Sequence, residues 1–375
     1  MDHSKPDFSD TSLWFSDENR TQIQVIDQRH LPFKFEVFGI GSVEDAFFAI
    51  REMVVRGAPL IGVTAAFGMY FALKAAGRNN DRSLPAAAEY LNSSRPTAVN
   101  LFMATRRMLG VYDRIKKWEE NLEILWAEAV KIRQEETDAC LKIGQHGLPL
   151  IEEIFRKNPG QAVQILTHCN AGRLACIKYG TATAPVYLAH EKGIPVHVWV
   201  DETRPRNQGA RLTAYELGVA GIPHTVIPDN TGGHLMQHGM VDLVLVGSDC
   251  TTRNGDVANK IGTYLKALAA HDNQIPFYAA LPSSSFNWNM SDGLRDIPIE
   301  ARSAEEVAYA EGWTGKSISR VRLVPKGSRT ANYGFDVTPA RLVTGLITDR
   351  GICPASREGI EALFPERNIL ACKKY

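Results

Sequence analysis

The sequence predicts an α/β protein in which a Rossmann-like parallel-sheet domain follows a smaller N-terminal domain of short strands and helices. The division rests on a change of pattern near residue 145. Beyond it, short runs rich in Val and Ile ("AVQILTH", "IPVHVWVDE", "IPHTVIPD", "VDLVLVGSD", "IPFYAALPS") alternate with segments of helical length and composition. Apolar strands alternating with helices mean a parallel sheet covered on both faces. Before it, a few short strand candidates give way to helix-period segments. The expected domains are therefore 1–145, small sheet plus helices, and 146–375, Rossmann-like, meeting around "IGQHGLPLIEEI". At 375 residues the chain can bury a core in each.

Taken in order, "TQIQVIDQ" and "FKFEVFGI" read as strands, and Val43 to Val55, "SLPAAAEYL" and the charged stretch from Asn100 to Lys142 read as helices. Gly57 to Leu73 is uncharged but shorter than the ~20 apolar residues that span a bilayer. Its glycines and Pro59 mark it as a buried helix entered through a tight turn. Late in the chain, "FDVTPARLVTGLIT" is compatible with a strand or a helix.

Composition excludes several functions. The 42 Lys and Arg offset 42 Asp and Glu with no block of like charge, so neither nucleic acid nor an anionic membrane is the expected partner. A small molecule is. The start, "MDHSKPDFSDTSLWF", carries acidic and polar residues where a secretory signal needs a basic start and an apolar core. The six cysteines form no CxxC pair, which argues against disulfides and zinc. A cytoplasmic, reducing location is expected. No GxGxxG follows a strand, and GxxxxGK[ST], HExxH and GxSxG are absent, so nicotinamide, P-loop, zincin and hydrolase chemistries lack their signatures.

In parallel sheets, ligands bind beyond the carboxyl ends of the strands. The strand-like runs end at Cys169 and Asn170, Asp201 and Glu202, Asp229 and Asn230, Asp249, and Pro282 with Ser283. One crest thus gathers a thiol and several carboxylates. Cys169 is either a packed small hydrophobe or a base or nucleophile. The second role would gain from a helix opening at "NAG", whose amide end favours a thiolate. His168 is its neighbour, but adjacent strand residues point to opposite faces, so the two do not form a dyad. Asp249 follows an apolar run; low-dielectric surroundings would raise its carboxyl into general-acid range, the alternative being a helix cap or Asx turn. Asp256 in "NGD" reads as a turn residue. Arg56 with Gly57 and Ala58 in "RGAP", Arg95 in "SSRPT", and Asn259 with Lys260 in "NKIGT" are candidate anion donors, each also at home as a structural or solvated residue.

In this order, "RGAPLIG", "THCNAG", "YGTA", "DETRPRNQGARLTAYEL", "GSDCTTRNGDVANKIGTY", "IPFY" and "FDVTP" resemble the methylthioribose-1-phosphate isomerases, relatives of the regulatory subunits of translation initiation factor 2B. The resemblance implies an aldose–ketose isomerase of methionine salvage, converting 5-methylthioribose 1-phosphate into 5-methylthioribulose 1-phosphate. It implies a two-domain fold, a homodimer, and no metal or redox cofactor. It carries Cys169 and Asp249 over as catalytic residues and Arg56, Gly57, Ala58, Arg95, Gln208, Asn259 and Lys260 as substrate contacts. Ser248 and Cys250 stand where the family more usually has Ala and Arg, and "DNTGGHLM" stands for a pattern closer to "DNMAGYLM". These departures are expected near the pocket, where they would retune the subsite for the 5-substituent, keeping 5-deoxyribose 1-phosphate and ribose 1-phosphate as further substrates. Two alternatives follow: a non-enzymatic regulatory protein, which predicts erosion of the thiol, acid or phosphate donors, and a ribose-1,5-bisphosphate isomerase, which would need extra cations such as Arg173 and Arg253.

Overall fold

The structure is a computed structural model and describes residues 11–15, 19–79, 83–95 and 98–367; Cys372 and the first ten residues lie outside them. Three short strands, β1 (Leu13–Phe15), β2 (Ile23–Ile26) and β3 (Val37–Ile40), form an antiparallel sheet. Five helices follow: α1 (Val43–Arg51), α2 (Ala58–Ala76), α3 (Ser83–Ser94), α4 (Val99–Val111) and α5 (Trp118–Lys157). Ser42 starts α1 by accepting the Asp45 amide at 3.0 Å. Helix α2 is apolar on every side, and α1, α3, α4 and α5 all pack against it. By length and composition α2 could cross a membrane, but 89% of its apolar window is buried inside the protein. It is the bundle's central helix.

Helix α5, at 40 residues, belongs to both halves of the molecule. Leu125, Ala129 and Ile132 join the core around α2, whereas Ile143, Leu148 and Ile151 join the core beneath the large sheet. Residue 145 thus lies inside a continuous helix, just past the change of core. Contact there is close: a Cβ at Gly147 would sit 2.5 Å from Pro185 of α6 (Ala184–Glu191).

The large sheet has seven strands: β4 (Val163–Thr167), β5 (Val196–Asp201), β6 (His224–Ile227), β7 (Leu243–Val246), β10 (Phe277–Ala280), β15 (Gly345–Thr348) and β16 (Gly351–Cys353). Their order is β16-β15-β10-β7-β4-β5-β6, with β16 antiparallel and the others parallel. From β4 the chain fills one side of the sheet with β5 and β6, then returns to the other side with β7, β10 and β15. That reversal opens a crevice above the carboxyl ends of β4 and β7, the place where open α/β sheets bind ligands.

A second sheet stands beside that crevice. Strands β8 (Cys250–Thr252), β9 (Val257–Lys260), β11 (Phe286–Asn287) and β14 (Phe335–Thr338) run in the order β11-β8-β9-β14. "FDVTPARLVTGLIT" therefore supplies two strands in different sheets, β14 and β15, joined through a short helical turn at Ala340–Leu342. Asp256 lies between β8 and β9, accepting the amides of Gly293 and Ala340 at 2.9 Å each. The stretch before β14 carries a hairpin of β12 (Tyr309–Trp313) and β13 (Ile318–Arg322).

Gly57 ties the two halves together. Its φ of +89° favours glycine, and a Cβ there would lie 2.6 Å from the backbone of Ala175. Gly57→Ala is expected to lower stability by about 2–4 kcal/mol. Gly110→Ala, in helical backbone with nothing within 4 Å of the added methyl, should instead gain about 0.5–1 kcal/mol. Thermal and urea unfolding of the two variants checks the contrast; equal effects would refute it.

Candidate active site

Strand β4 ends at Thr167, and the next residues turn sharply. Cys169 sits at φ +64°, its amide donating to Thr203 Oγ1 at 2.8 Å and its carbonyl accepting from Thr213 Oγ1 at 2.6 Å. Two hydroxyl anchors hold this uncommon backbone and aim the thiol at Gln208, whose Oε1 lies 3.3 Å from Sγ. His168 is engaged elsewhere, with Nδ1 2.8 Å from Asp201 Oδ2 and Nε2 2.8 Å from the Ile261 carbonyl. The helix expected at "NAG" is absent: a turn leads into a single 3-10 turn, Arg173–Ala175, because Gly172 folds back around Glu216. Among the described residues, no α-helix opens directly after the thiol. Burial pushes the Cys169 thiol up; Arg56 and then Lys260 pull it down, and Asp249 pushes it further up.

Asp249 follows β7 through Gly247 and Ser248, and its amide donates to the Ala258 carbonyl of β9 at 3.0 Å. Its carboxyl makes no hydrogen bond or ion pair among the described residues, so it caps no turn. Burial raises it above the ordinary carboxylate range, against the pull of Lys260, Arg95 and Arg56. Lys260, at the end of β9, places Nζ 4.7 Å from the Phe335 ring centre. Burial lowers its ammonium, while Cys169 and Asp249 hold it up.

The other cations come from the N-terminal domain. Arg56 is 6% exposed and donates to both the carboxamide oxygen and the backbone carbonyl of Asn170. Arg95 donates to Glu300 Oε2 at 3.1 and 3.2 Å. Burial alone would raise the Glu300 carboxyl; Arg95 and Arg302 overcome it and hold it below its usual value.

All nine candidate residues line one cavity: Arg56, Gly57 and Ala58 at the start of α2, Arg95, Cys169, Gln208, Asp249, Asn259 and Lys260. Asn259 spends Nδ2 on Thr263 Oγ1 at 3.0 Å. Ser248 and Cys250 also line the cavity, but no residue of "DNTGGHLM" does. That departure, expected near the pocket, instead opens α8 (Thr231–Gln237). The other crest carboxylates are corrected as well: Asp201 binds His168 and Lys266, and Asp229 accepts the Thr203 and Arg204 amides at 2.6 and 2.7 Å. Ligating atoms of His168, Asp201 and Asp229 lie within 4.8 Å of one another, yet Lys266 Nζ stands 3.2 Å from Asp201 and donates to the Asp229 carbonyl. An ammonium already fills the role a metal ion would take. Arg173 and Arg253 are outside the cavity, Arg173 over the Tyr187 ring and Arg253 bound to Glu361. Asn170 and Glu300, which orient the two arginines, received no role from the sequence. Asn170 sits inside "HCNAG" and was open to that reading, whereas Glu300 gives no local signal.

The Initiation factor 2 subunit family matches residues 54–355. A methylthioribose-1-phosphate isomerase of Desulfosudis oleivorans is 55% identical over 358 residues, covering 95% of this chain and 97% of that protein. One of Rhodospirillum centenum is also 55% identical, over 95% of this chain and 94% of its own. Among solved structures, 5-methylthioribose 1-phosphate isomerase from Pyrococcus horikoshii OT3 superposes with a TM-score of 0.81 at 37% identity, covering 95% of this chain and 96% of that one. The translation initiation factor eIF-2B subunit delta from A. fulgidus gives 0.76 at 36%, over 95% and 100%.

The charges around Cys169 make a testable prediction. With burial dominant, its alkylation by iodoacetamide should rise with pH to a midpoint above the ordinary ~8.5. Asp249→Asn removes a neighbour that pushes the thiol up, and the midpoint should fall. Lys260→Ala removes a positive one and it should climb. Mass spectrometry of the Cys169 peptide reads both; a midpoint unmoved in both variants contradicts the arrangement.

Proposed function

The chain belongs to the initiation factor 2 subunit family, and on that premise we propose that it is a methylthioribose-1-phosphate isomerase, converting 5-methylthioribose 1-phosphate into 5-methylthioribulose 1-phosphate in methionine salvage. The observation that carries this reading is the single cavity that unites thiol, acid and three cations, in a chain 55% identical over nearly its whole length to enzymes of that name. A regulatory protein on this fold would have no need to keep that set.

The chemistry follows from the groups. Phosphate on the anomeric oxygen blocks ordinary opening to an aldehyde, so the ring C–O bond must break with the phosphate in place. Asp249, whose carboxyl burial raises above the ordinary carboxylate range, donates a proton to the ring oxygen as that bond breaks. Cys169 as thiolate takes the proton from C2, the electron pair forms the C1–C2 double bond of a cis-phosphoenolate as the C2 hydroxyl gives its proton to the Asp249 carboxylate, and the Cys169 thiol returns a proton to C1 to give the ketose. A hydride shift from C2 to C1 uses the same two residues for the remaining proton movements. Arg56, Lys260 and the amides of Gly57 and Ala58 at the start of α2 bind the phosphate. Gln208 holds the thiol and Arg95 contacts the sugar. Either route moves one hydrogen from C2 to C1 and one proton from the C2 hydroxyl to the ring oxygen, and Cys169 and Asp249 serve both transfers.

Met53, Ile61 and Ile297 give the cavity an apolar wall, which supports a methylthio group over a hydroxyl; 5-deoxyribose 1-phosphate fits the same wall. The cations a second phosphate would need are outside the cavity. We also place the protein in the cytoplasm as a homodimer, on the family resemblance and on the free thiols of its five described cysteines.

An NMR assay tests the assignment with 5-methylthioribose 1-phosphate, 5-deoxyribose 1-phosphate and ribose 1,5-bisphosphate in parallel. The first should form the ketose phosphate fastest and the bisphosphate should not react. Cys169→Ser and Asp249→Asn should each lose ~10²–10⁴-fold in kcat with the fold intact, and Lys260→Ala should chiefly raise KM. Full activity in either of the first two variants, or turnover of the bisphosphate alone, would overturn the assignment.

A further inference from the structure

Glu216 lies on α7 (Ala214–Val219), is 2% exposed, and touches none of the groups given a chemical step above. Its Oε1 accepts from Asn170 Nδ2 at 2.9 Å and the Leu174 amide at 3.0 Å. Its Oε2 accepts from the Arg173 amide at 2.7 Å and the Tyr187 hydroxyl at 3.0 Å. A carboxylate satisfies two donors on each oxygen; a carboxamide cannot, because its NH₂ would face another donor. The backbone makes room for this group alone, since a Cβ on Gly172 would lie 2.1 Å from Glu216 Oε2.

The consequence reaches the cavity through Asn170. Its NH₂ is committed to Glu216 and, at 3.1 Å, to Thr213 Oγ1. Its Oδ1 must then face the other way, toward Arg56, whose Nη1 donates to it while Nη2 donates to the Asn170 carbonyl. With one N–H of each of these two nitrogens spent on Asn170, the guanidinium has N–H groups left over, and Arg56 lines the cavity. Rotating the Asn170 amide would set NH₂ against Nη1 and leave the guanidinium held by the backbone carbonyl alone.

We infer that Glu216 is a positioning residue: by fixing which way the Asn170 amide points, it aims Arg56 at the phosphate of the substrate. The identity of that phosphate rests on the isomerase reading; the relay from Glu216 to Arg56 does not.

The test is a double-mutant cycle of Glu216→Gln with Arg56→Ala, read as kcat and KM for 5-methylthioribose 1-phosphate and as affinity for inorganic phosphate by calorimetry. Glu216→Gln should weaken KM and phosphate affinity on the order of tenfold in the otherwise native protein, with kcat changed far less. In the Arg56→Ala background the same substitution should cost less than about twofold. A purely structural glutamate would give equal losses in both backgrounds, and that result, or an unchanged KM and phosphate affinity, overturns the inference. Should Glu216→Gln fail to fold, Asn170→Ala, which removes the oxygen held by Arg56 Nη1, takes its place under the same criteria. If the native protein does not turn over the sugar while phosphate affinity still shows the non-additive cycle, the isomerase reading falls and the relay stands.

Discussion

The reversal of strand order between β4 and β7 is the constraint on which the site depends. Two neighbouring parallel strands there end with their following segments leaving in opposite directions, one toward β5 and the other through the small sheet toward β10. Cys169 stands at one strand end and Asp249 just past the other. Hydrogen bonding between β4 and β7 fixes the separation of their ends, with Thr167 paired to Leu245. The small sheet is the second consequence, because β8 begins immediately after Asp249 and β9 returns to place Lys260 above the same gap. The N-terminal domain closes the third side by inserting Arg56 and the start of α2, and the contact of Gly57 with Ala175 holds that insertion in place.

Electrostatics follow from this enclosure. Removing three cations from water costs several kcal/mol each unless something compensates, and each is compensated only in part. Arg95 has Glu300, Arg56 has two neutral oxygens of Asn170, and Lys260 has an aromatic face. Against them, the acid and the thiol are both pushed toward their neutral forms by burial. The cavity lining therefore carries an excess of positive charge, and a phosphate of charge about −2 is the natural partner for it. Bound phosphate would lessen the cations' pull on Asp249, keeping its proton available for the ring oxygen.

Much of this was legible from the sequence, for reasons that can be named. Short apolar runs made β4, β5, β6, β7 and β10 visible one by one, β7 as a strand buried throughout and β6 as a partly exposed edge strand, and the rule that ligands sit at strand ends brought Cys169 and Asp249 forward. The apolar Gly57 to Leu73 run announced a buried helix because it is uncharged, shorter than a bilayer span needs and punctuated by glycines and Pro59. The small sheet was not legible, because its strands are two to four residues long and gather from segments far apart in the chain. The helix expected after Cys169 was a local inference overridden by a distant carboxylate: Glu216 takes the amides of Arg173 and Leu174. The same limit applies to Asp201 and Asp229. Strand-end position alone does not tell a cavity carboxylate from one already bound to Lys266 or to backbone amides.

The most direct test of the account is a crystal structure of the Cys169→Ser protein with 5-methylthioribulose 1-phosphate. The sugar is expected in the crevice above β4 and β7, with its phosphate within hydrogen-bond reach of Arg56 or Lys260 and the first amides of α2. C2 should lie against the residue 169 side chain, and the oxygen that had closed the ring should face Asp249. A sugar phosphate bound with C2 out of contact with residue 169, or with Asp249 turned away from that oxygen, would contradict it.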